Sequence, residues 1–182
     1  MTMGDSCGWG YVKNNPNFKT LPQLLQNLVT AASGEGNYLL NVGPKPDGTI
    51  RTEESTRLTA IGRWLKVNGE AIYNSRRCGL HGGMVGMWTA APTGHIAYFH
   101  AFRWPGKELT VPLVGNKVKS AVVLATGHEA QVRQEYNGRL IISDLPEKPP
   151  DPCISVIKME LDGKPRMLEE PDKSAWLEGK VG

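Results

Sequence analysis

The spacing of apolar and polar residues along the chain changes character near residue 77. Before that point, one stretch carries apolar side chains at intervals of three and four, the period of an amphipathic helix. Its apolar positions are Leu21, Leu24, Leu25, Leu28 and Ala32. Thr20 is a suitable N-cap, and Pro22 lies in the first turn, where its missing N–H costs nothing. Gly34 and Gly36 predict the end of this helix.

A second helix and two short strands complete this first part of the chain. Residues 37–42 form a nearly continuous apolar run between glycines, which is typical of a strand buried on both faces. Thr52 is placed to cap the second helix, with Glu53 and Glu54 at its positive end. With a further strand predicted over residues 1–6, the order is βαβα, which indicates a parallel sheet. Because two parallel strands leave faces and edges uncovered, we expect this part to belong to a larger α/β domain.

After residue 77 the apolar period becomes two, the period of β-strands. Seven short segments alternate between apolar and polar residues and are separated by turn signals. They are residues 84–89, 95–103, 108–111, 121–125, 131–136, 140–142 and 154–160. Asn137-Gly138, between two of them, is a strong signal for a β-hairpin. Seven strands at this spacing predict an antiparallel β-sandwich.

The predicted fold class is therefore α/β plus all-β. Residues 1–77 are expected to form a piece of a larger α/β domain, and residues 78–161 a β-sandwich. Residues 162–182 are polar and rich in Pro and Gly, so they are expected to form a poorly ordered tail.

The overall composition narrows the classes of function. With 40% hydrophobic and 21% charged residues over 182 positions, the chain has the makeup of a globular protein. Its net charge of +3 comes from scattered basic residues, so nucleic-acid binding is not predicted. No apolar run approaches the ~20 residues of a membrane helix, so no membrane partner is predicted. Three widely spaced cysteines indicate neither a disulfide framework nor a zinc site.

Three sequence motifs point to one enzyme family. Residues 36–48 read GNYLLNVGPKPDG and resemble the signature GGNYLLNIGPxxDG, which lies near the end of the α-L-fucosidase catalytic barrel. Residues 57–73 are similar to the last barrel helix of that family, RLxxIGxWLxxNGEAIY, and residues 9–11 match its WGY. The resemblance extends from Met1 to about residue 161 with few gaps. The chain thus resembles the C-terminal part of a retaining α-L-fucosidase, which is a glycoside hydrolase.

This resemblance implies a fold, an activity and partners. The family has a (β/α)₈-like barrel followed by a C-terminal β-sandwich, so residues 1–77 would be the last two barrel units. The implied reaction is hydrolysis of terminal α-L-fucosyl linkages with retention, through a covalent fucosyl-enzyme and without a metal or organic cofactor. The implied partners are a fucosylated glycan and the N-terminal part of the barrel. An extracellular, periplasmic or lysosomal compartment suits the family.

The catalytic groups that the resemblance implies are incomplete. A retaining glycosidase needs two carboxyl groups about 5–5.5 Å apart. The nucleophile of the family is an Asp on an earlier strand, which the alignment places before Met1. Some relatives carry an acid/base Glu where Gln23 stands, and an amide cannot donate and retrieve a proton as a carboxyl does. Either the acid/base comes from elsewhere in the barrel or the alignment is shifted, and we expect the isolated chain to be inactive. Asp5 is the best-placed acid present, although it is more typical of a residue that begins a loop.

Three residues are candidates for substrate binding. Lys13 follows the WGY motif, where relatives have a basic residue near the sugar, although it also fits an exposed loop lysine. Trp9 fits either stacking on the apolar face of a sugar or packing within the barrel. Asn41 lies among apolar residues, and we favour a hydrogen-bond node in the core over a pocket residue.

A non-catalytic module is the alternative function, in which the β-sandwich binds glycan or supports a partner barrel. An exposed row of aromatic residues would favour it, and the candidates are Tyr98, Phe99 and Phe102. Because successive strand residues point to opposite faces, Tyr98 and Phe99 cannot both belong to one flat platform.

Overall fold

The computed structural model of the protein describes residues 1–4 and 8–168. It contains two α-helices, α1 (Leu21–Ser33) and α2 (Thr52–Asn68), followed by a 3₁₀ turn at Gly69–Ala71. The strands are β1 (Arg76–Arg77), β2 (Gly86–Ala90), β3 (Ile96–Ala101), β4 (Leu109–Val111), β5 (Val118–Val123), β6 (His128–Gln134), β7 (Leu140–Ser143) and β8 (Ser155–Leu161). All seven predicted strands are present with shifted ends, and β1 is additional. Within the described residues, no helix has the length and apolar character that crossing a bilayer requires.

Helix α1 begins where the sequence predicts. The Oγ1 atom of Thr20 accepts a hydrogen bond from the Gln23 backbone N–H at 3.4 Å, and Gln23 Oε1 accepts from the Thr20 N–H at 2.8 Å. This reciprocal pair is a capping box, and the helix then runs to Ser33. For α2, the prediction that Thr52 is the cap is wrong by one residue. Arg51 is the extended residue, with ψ of 146°, so Thr52 already lies in the first turn.

Residues 1–4 lie parallel to residues 37–42, as predicted, but a continuous ladder is not formed. One isolated parallel bridge joins Thr2 to Asn41. The prediction that residues 37–42 are buried on both faces is wrong, since the Leu39 side chain is 77% exposed. The reason is that packing against the helices covers only one side of this segment.

The eight strands form one antiparallel sheet in the order β1-β2-β3-β8-β5-β6-β7-β4. The sheet curls, because strands from its two halves share one core. Phe99 of β3, Leu109 of β4 and Ile142 of β7 belong to the same buried cluster. The antiparallel pairing is as predicted, but strand pairing runs continuously from β1 to β4 instead of dividing into two stacked sheets. The chain is therefore mainly sheet, shaped as a curled half-barrel.

The two helices pack against the outer face of β3 and β8. Leu24 of α1 and Trp64 of α2 share a second core with Tyr98 of β3 and Val156 of β8. The Trp64 Nε1–H donates a hydrogen bond to the Ile154 carbonyl at 2.8 Å, which ties α2 to the segment before β8. Strand β3 is consequently buried on both faces, against the helices on one side and the curled sheet on the other.

A polar contact completes the junction between α2 and the sheet. The Glu70 carboxylate accepts hydrogen bonds from the Tyr98 hydroxyl at 3.1 Å and from the Lys158 ammonium at 2.7 Å. Burial raises the pKa of Tyr98, and the nearby Glu70 carboxylate raises it further. Glu70 therefore has a structural role, because it links the end of the helical segment to strands β3 and β8.

Residues 162–168 correct the expectation of a poorly ordered tail. The Asn116 side chain is buried, and it both accepts a hydrogen bond from this stretch and donates hydrogen bonds to it. It accepts from the Arg166 backbone N–H at 2.7 Å and donates to the Lys164 carbonyl at 3.0 Å. Because a buried amide needs partners, these bonds hold the stretch against the sheet. Residues 169–182, the remainder of the predicted tail, lie outside the described residues.

Candidate functional site

A small cleft lies between the WGY loop (residues 8–12), the segment that follows α1, and the start of α2. Among the residues that line it are Trp9, Asn41, Arg51 and Glu54. Its enclosed volume is about 20 Å³, which is room for one water-sized group. Trp9 and Asn41 are binding candidates from distant segments of the sequence, and the structure brings them together here.

Asn41 fastens the WGY loop to the neighbouring segment. Its Nδ2–H donates a hydrogen bond to the Trp9 carbonyl at 2.6 Å, so its amide acts as a hydrogen-bond node. The Trp9 side chain is 67% exposed, so the described part of the chain does not bury its ring. The node therefore fixes the backbone of Trp9 while the indole faces outward from the loop.

Arg51 organises the same loop from the other side. Its Nη1–H donates to the Val12 carbonyl at 2.9 Å, and its guanidinium lies 5.8 Å from the centroid of the Tyr11 ring and 4.9 Å from that of Phe18. It also pairs with Glu53 at 3.3 Å. Sequence reasoning missed Arg51, although a cation at a helix N-terminus opposes the helix dipole and so indicates a local role.

Glu54 forms a buried wall of the cleft. Only 5% of it is exposed, and its Oε1 accepts a hydrogen bond from the Gly43 backbone N–H at 3.1 Å. Its Oε2 is buried and has no hydrogen-bond partner among the described residues. The neighbouring Glu53 differs, because its side chain is 47% exposed and its own backbone N–H and the Arg51 guanidinium lower its pKa. The sequence predicts that both Glu53 and Glu54 interact with the positive end of the helix dipole. This role fits Glu53 better than Glu54.

The other sequence-predicted residues lie outside this cleft. Lys13 is exposed in the turn that follows the WGY loop and is not among the lining residues. Gln23 also lies outside the lining, where its amide is engaged in the capping box of α1. Asp47 accepts from the Thr49 N–H at 2.9 Å, and this bond lowers the Asp47 pKa, in keeping with a turn residue. Asp5 lies outside the described residues.

Tyr98, Phe99 and Phe102 do not form the exposed aromatic row considered for the alternative function, which agrees with the expectation that Tyr98 and Phe99 point to opposite faces. Tyr98 and Phe99 are buried, at 3% and 1% exposure, in the two different cores of the molecule. Phe102 is half-buried and packs against the core formed with the helices. Within the described residues, no group of three or more His, Cys, Asp or Glu side chains is placed to hold a metal ion.

Comparison with known proteins identifies the family. The family profile described as α-L-fucosidase matches residues 1–70. Tissue α-L-fucosidase of Rattus norvegicus is 33% identical over 158 residues, which is 82% of this chain and 33% of that protein. A crystal structure of an α-L-fucosidase from Bacteroides thetaiotaomicron superposes with a TM-score of 0.81 at 30% identity, covering 90% of this chain and 37% of that one. The chain belongs to the α-L-fucosidase family.

Other members of the α-L-fucosidase family match in the same way. Plasma α-L-fucosidase of Homo sapiens is 37% identical over 106 residues, covering 56% of this chain and 23% of that protein. The α-L-fucosidase isoenzyme 1 of Paenibacillus thiaminolyticus superposes with a TM-score of 0.79 at 28% identity, over 89% of this chain and 39% of that one. The chain therefore spans about a quarter to two fifths of the length of the relatives it matches.

Proposed function

We propose that this chain supplies the C-terminal part of an α-L-fucosidase that hydrolyses terminal α-L-fucosyl linkages. The observation that carries the proposal is the match to the α-L-fucosidase family over residues 1–70, a stretch that contains the WGY loop and the residues around the small cleft. There Asn41 and Arg51 hold the backbone of the WGY loop while Trp9 stays 67% exposed, and an accessible aromatic face near a few polar groups is typical of ligand-binding sites. In the proposed organisation, residues 1–77 contribute the last two units of a (β/α)₈-like barrel, and residues 78–161 form a separate domain built on the curled sheet.

The proposed reaction proceeds with retention through a covalent fucosyl-enzyme. Support comes from the Bacteroides thetaiotaomicron relative, which was captured as a trapped covalent intermediate with 2-fluoro-fucosyl fluoride. That chemistry needs two carboxyl groups about 5–5.5 Å apart. Of the described residues that line the cleft, one is acidic, and this residue, Glu54, is bonded to Gly43. Gln23 caps α1 and cannot supply the proton, so both reacting carboxyl groups come from elsewhere in a complete barrel. We therefore expect the 182 residues alone to be inactive.

Each candidate binding residue has a distinct part in this proposal. The exposed Trp9 indole stacks on the apolar face of the fucose ring. Lys13 is exposed in the turn that follows the WGY loop, and its ammonium donates hydrogen bonds to sugar oxygens. Asn41 contributes indirectly, because its side chain fixes the carbonyl of Trp9.

The test is hydrolysis of a chromogenic α-L-fucoside by two proteins. One is the 182-residue chain, and the other is this chain joined behind the first two thirds of the Bacteroides thetaiotaomicron relative. We expect activity in the fusion only, with α-L-fucose as the first product by NMR. Replacing Trp9 by Ala should raise KM, whereas Tyr136→Ala, at an exposed hairpin tip far along the sheet, should not. A folded but inactive fusion would contradict the proposed function, and hydrolysis by the chain alone would contradict its dependence on a complete barrel.

A further inference from the structure

We propose that Glu54 is a positioning residue that holds the WGY loop in place through the backbone of Gly43. The inference rests on the proposed function, in which that loop presents Trp9 to the sugar. The Glu54 carboxylate is buried and takes no part in the proposed reaction. Its role is inferred from its burial, from its bond to Gly43 and from the other hydrogen bonds that hold the loop.

The first step is the burial of Glu54 without a cationic partner. Its side chain is 5% exposed, and neither of its oxygens is paired with a Lys or Arg among the described residues. Burying a carboxylate costs free energy unless specific interactions offset it. The helix dipole offsets part of that cost, but Glu53 benefits from the same dipole while remaining half exposed. The hydrogen bond from Gly43 is therefore the specific interaction that offsets part of the cost of burying Glu54.

The second step is that Gly43 transmits the contact to the loop. Its N–H donates to Glu54 Oε1 at 3.1 Å. A Cβ atom placed on Gly43 would lie 2.9 Å from the Gly10 carbonyl carbon and 2.9 Å from the Tyr11 nitrogen, a separation that Cβ atoms do not adopt without displacing a neighbour. The backbone of Gly43 thus contacts the backbone of Gly10 and Tyr11 directly, and a displacement of Gly43 would displace these two residues.

The third step is that the bond of Glu54 to Gly43 is one of three hydrogen bonds that hold the WGY loop and the segment beside it. Asn41 holds the carbonyl of Trp9 at 2.6 Å, and Arg51 holds the carbonyl of Val12 at 2.9 Å. Glu54, three residues after Arg51, holds the middle of the loop through Gly43. The N-terminal end of α2 therefore holds the middle of the loop, through Gly43, and its last residue, Val12. Residues 37–42 hold its beginning, because Asn41 bonds to Trp9.

The experiment measures local backbone order in the 182-residue chain by ¹⁵N relaxation. In the parent, Gly10 and Tyr11 should show order parameters near the ~0.85 of rigid backbone. In Glu54→Ala they should fall towards the values below about 0.6 that mark flexible backbone, while β3 stays unchanged. Glu54→Gln keeps an oxygen acceptor for Gly43 and should leave the loop ordered. Glu53→Ala and Glu53→Gln, which remove the same charge from the same turn, are the matched controls and should leave the loop ordered as well.

A second readout isolates the Gly43 contact. The Gly43 amide should exchange with deuterium at least about tenfold faster in Glu54→Ala than in the parent, because a hydrogen bond to a charged group is lost. Should Glu54→Ala not fold, Gly43→Ala tests the same path, since its methyl group should displace Gly10 and Tyr11 and lower their order with the carboxylate intact.

Several results would overturn the proposal. An ordered loop in Glu54→Ala would do so, as would equal loss of order in β3, a loop already flexible in the parent, or equal effects of the Glu53 and Glu54 variants. Titration of the fusion protein with a fucose-configured iminocyclitol is recorded separately. Absence of binding by a well-ordered loop would count against the proposed function, whereas the order parameters alone decide the role of Glu54.

Discussion

Protonation of one buried histidine should control the acid stability of this protein. His100 lies in β3, fully buried, with its ring 6.5 Å from that of Trp64. Its Nε2 is 2.9 Å from the Thr89 hydroxyl, which donates its single proton to the Ala71 carbonyl at 2.7 Å. Nε2 must therefore carry the proton and donate to Thr89, which leaves Nδ1 unprotonated and without a partner. A second proton would place a positive charge in this apolar contact between the helices and the sheet.

The size of the effect follows from the His100 pKa. Burial lowers the pKa of His100 to about 3, from about 6.5 for an exposed imidazole. Below pH 6.5 the unfolded chain takes up a proton at this position that the folded chain does not. The unfolded state binds more protons in this window, so stability is complete above about pH 6.5 and falls as the pH drops towards 3. Between pH 7 and pH 5 the loss from this group alone is about 2 kcal/mol.

The assay is urea denaturation at pH 7, 6 and 5, followed by circular dichroism. The test variant is His100→Gln, whose side-chain amide can still donate to Thr89 but does not titrate. The control is His95→Gln, which removes an exposed imidazole just before β3. We expect the parent and the control to lose about 2 kcal/mol between pH 7 and pH 5, and His100→Gln to lose much less whatever its stability at pH 7. Equal losses in the parent and His100→Gln would refute the reasoning.

Three further outcomes test the fold. Trp64→Phe leaves the buried Ile154 carbonyl without its donor and should lower the free energy of unfolding by about 1–3 kcal/mol, measured by urea denaturation; no loss would mean that this bond does not hold α2 to the sheet. Thr20→Ala should cost about 1 kcal/mol through loss of the capping box, and Thr20→Ser only a few tenths, which thermal unfolding can resolve. Because burial raises the pKa of Cys78 to about 12, a thiol reagent at pH 8 should modify Cys153 before Cys78, and Cys78 only after unfolding. Equal rates in the folded chain would contradict this burial.

Local elements follow closely from the sequence. The capping box of Thr20 and Gln23 involves residues three positions apart, so its chemistry is visible in the sequence. The hairpin at Asn137-Gly138 is equally local, and Gly138 adopts the positive φ of 75° that such a turn requires. The opposite burial of Tyr98 and Phe99 is a direct consequence of strand period, and it excludes the flat aromatic platform.

Some residues of the candidate site could be identified from the sequence, and others could not. Trp9 and Asn41 could be selected from the sequence because the family motifs contain them. The roles of Arg51 and Glu54 could not, since both depend on the WGY loop lying against the start of α2. Two adjacent glutamates at a helix start look equivalent in sequence, but one is exposed and the other is a buried wall of the cleft.

The sequence by itself determined the two helices, the seven strands after residue 77, the antiparallel or parallel sense of pairing and the family, because these depend on residue period, caps, turns and motifs within short stretches. Only the tertiary structure decided that the strands form one curled sheet, that residues 162–168 are held by Asn116, and that Glu54 reaches Gly43. Each of these depends on contacts between residues far apart in the chain or on which side chain of a pair is buried. Period and propensity carry no information about such contacts, which form only when the two cores pack.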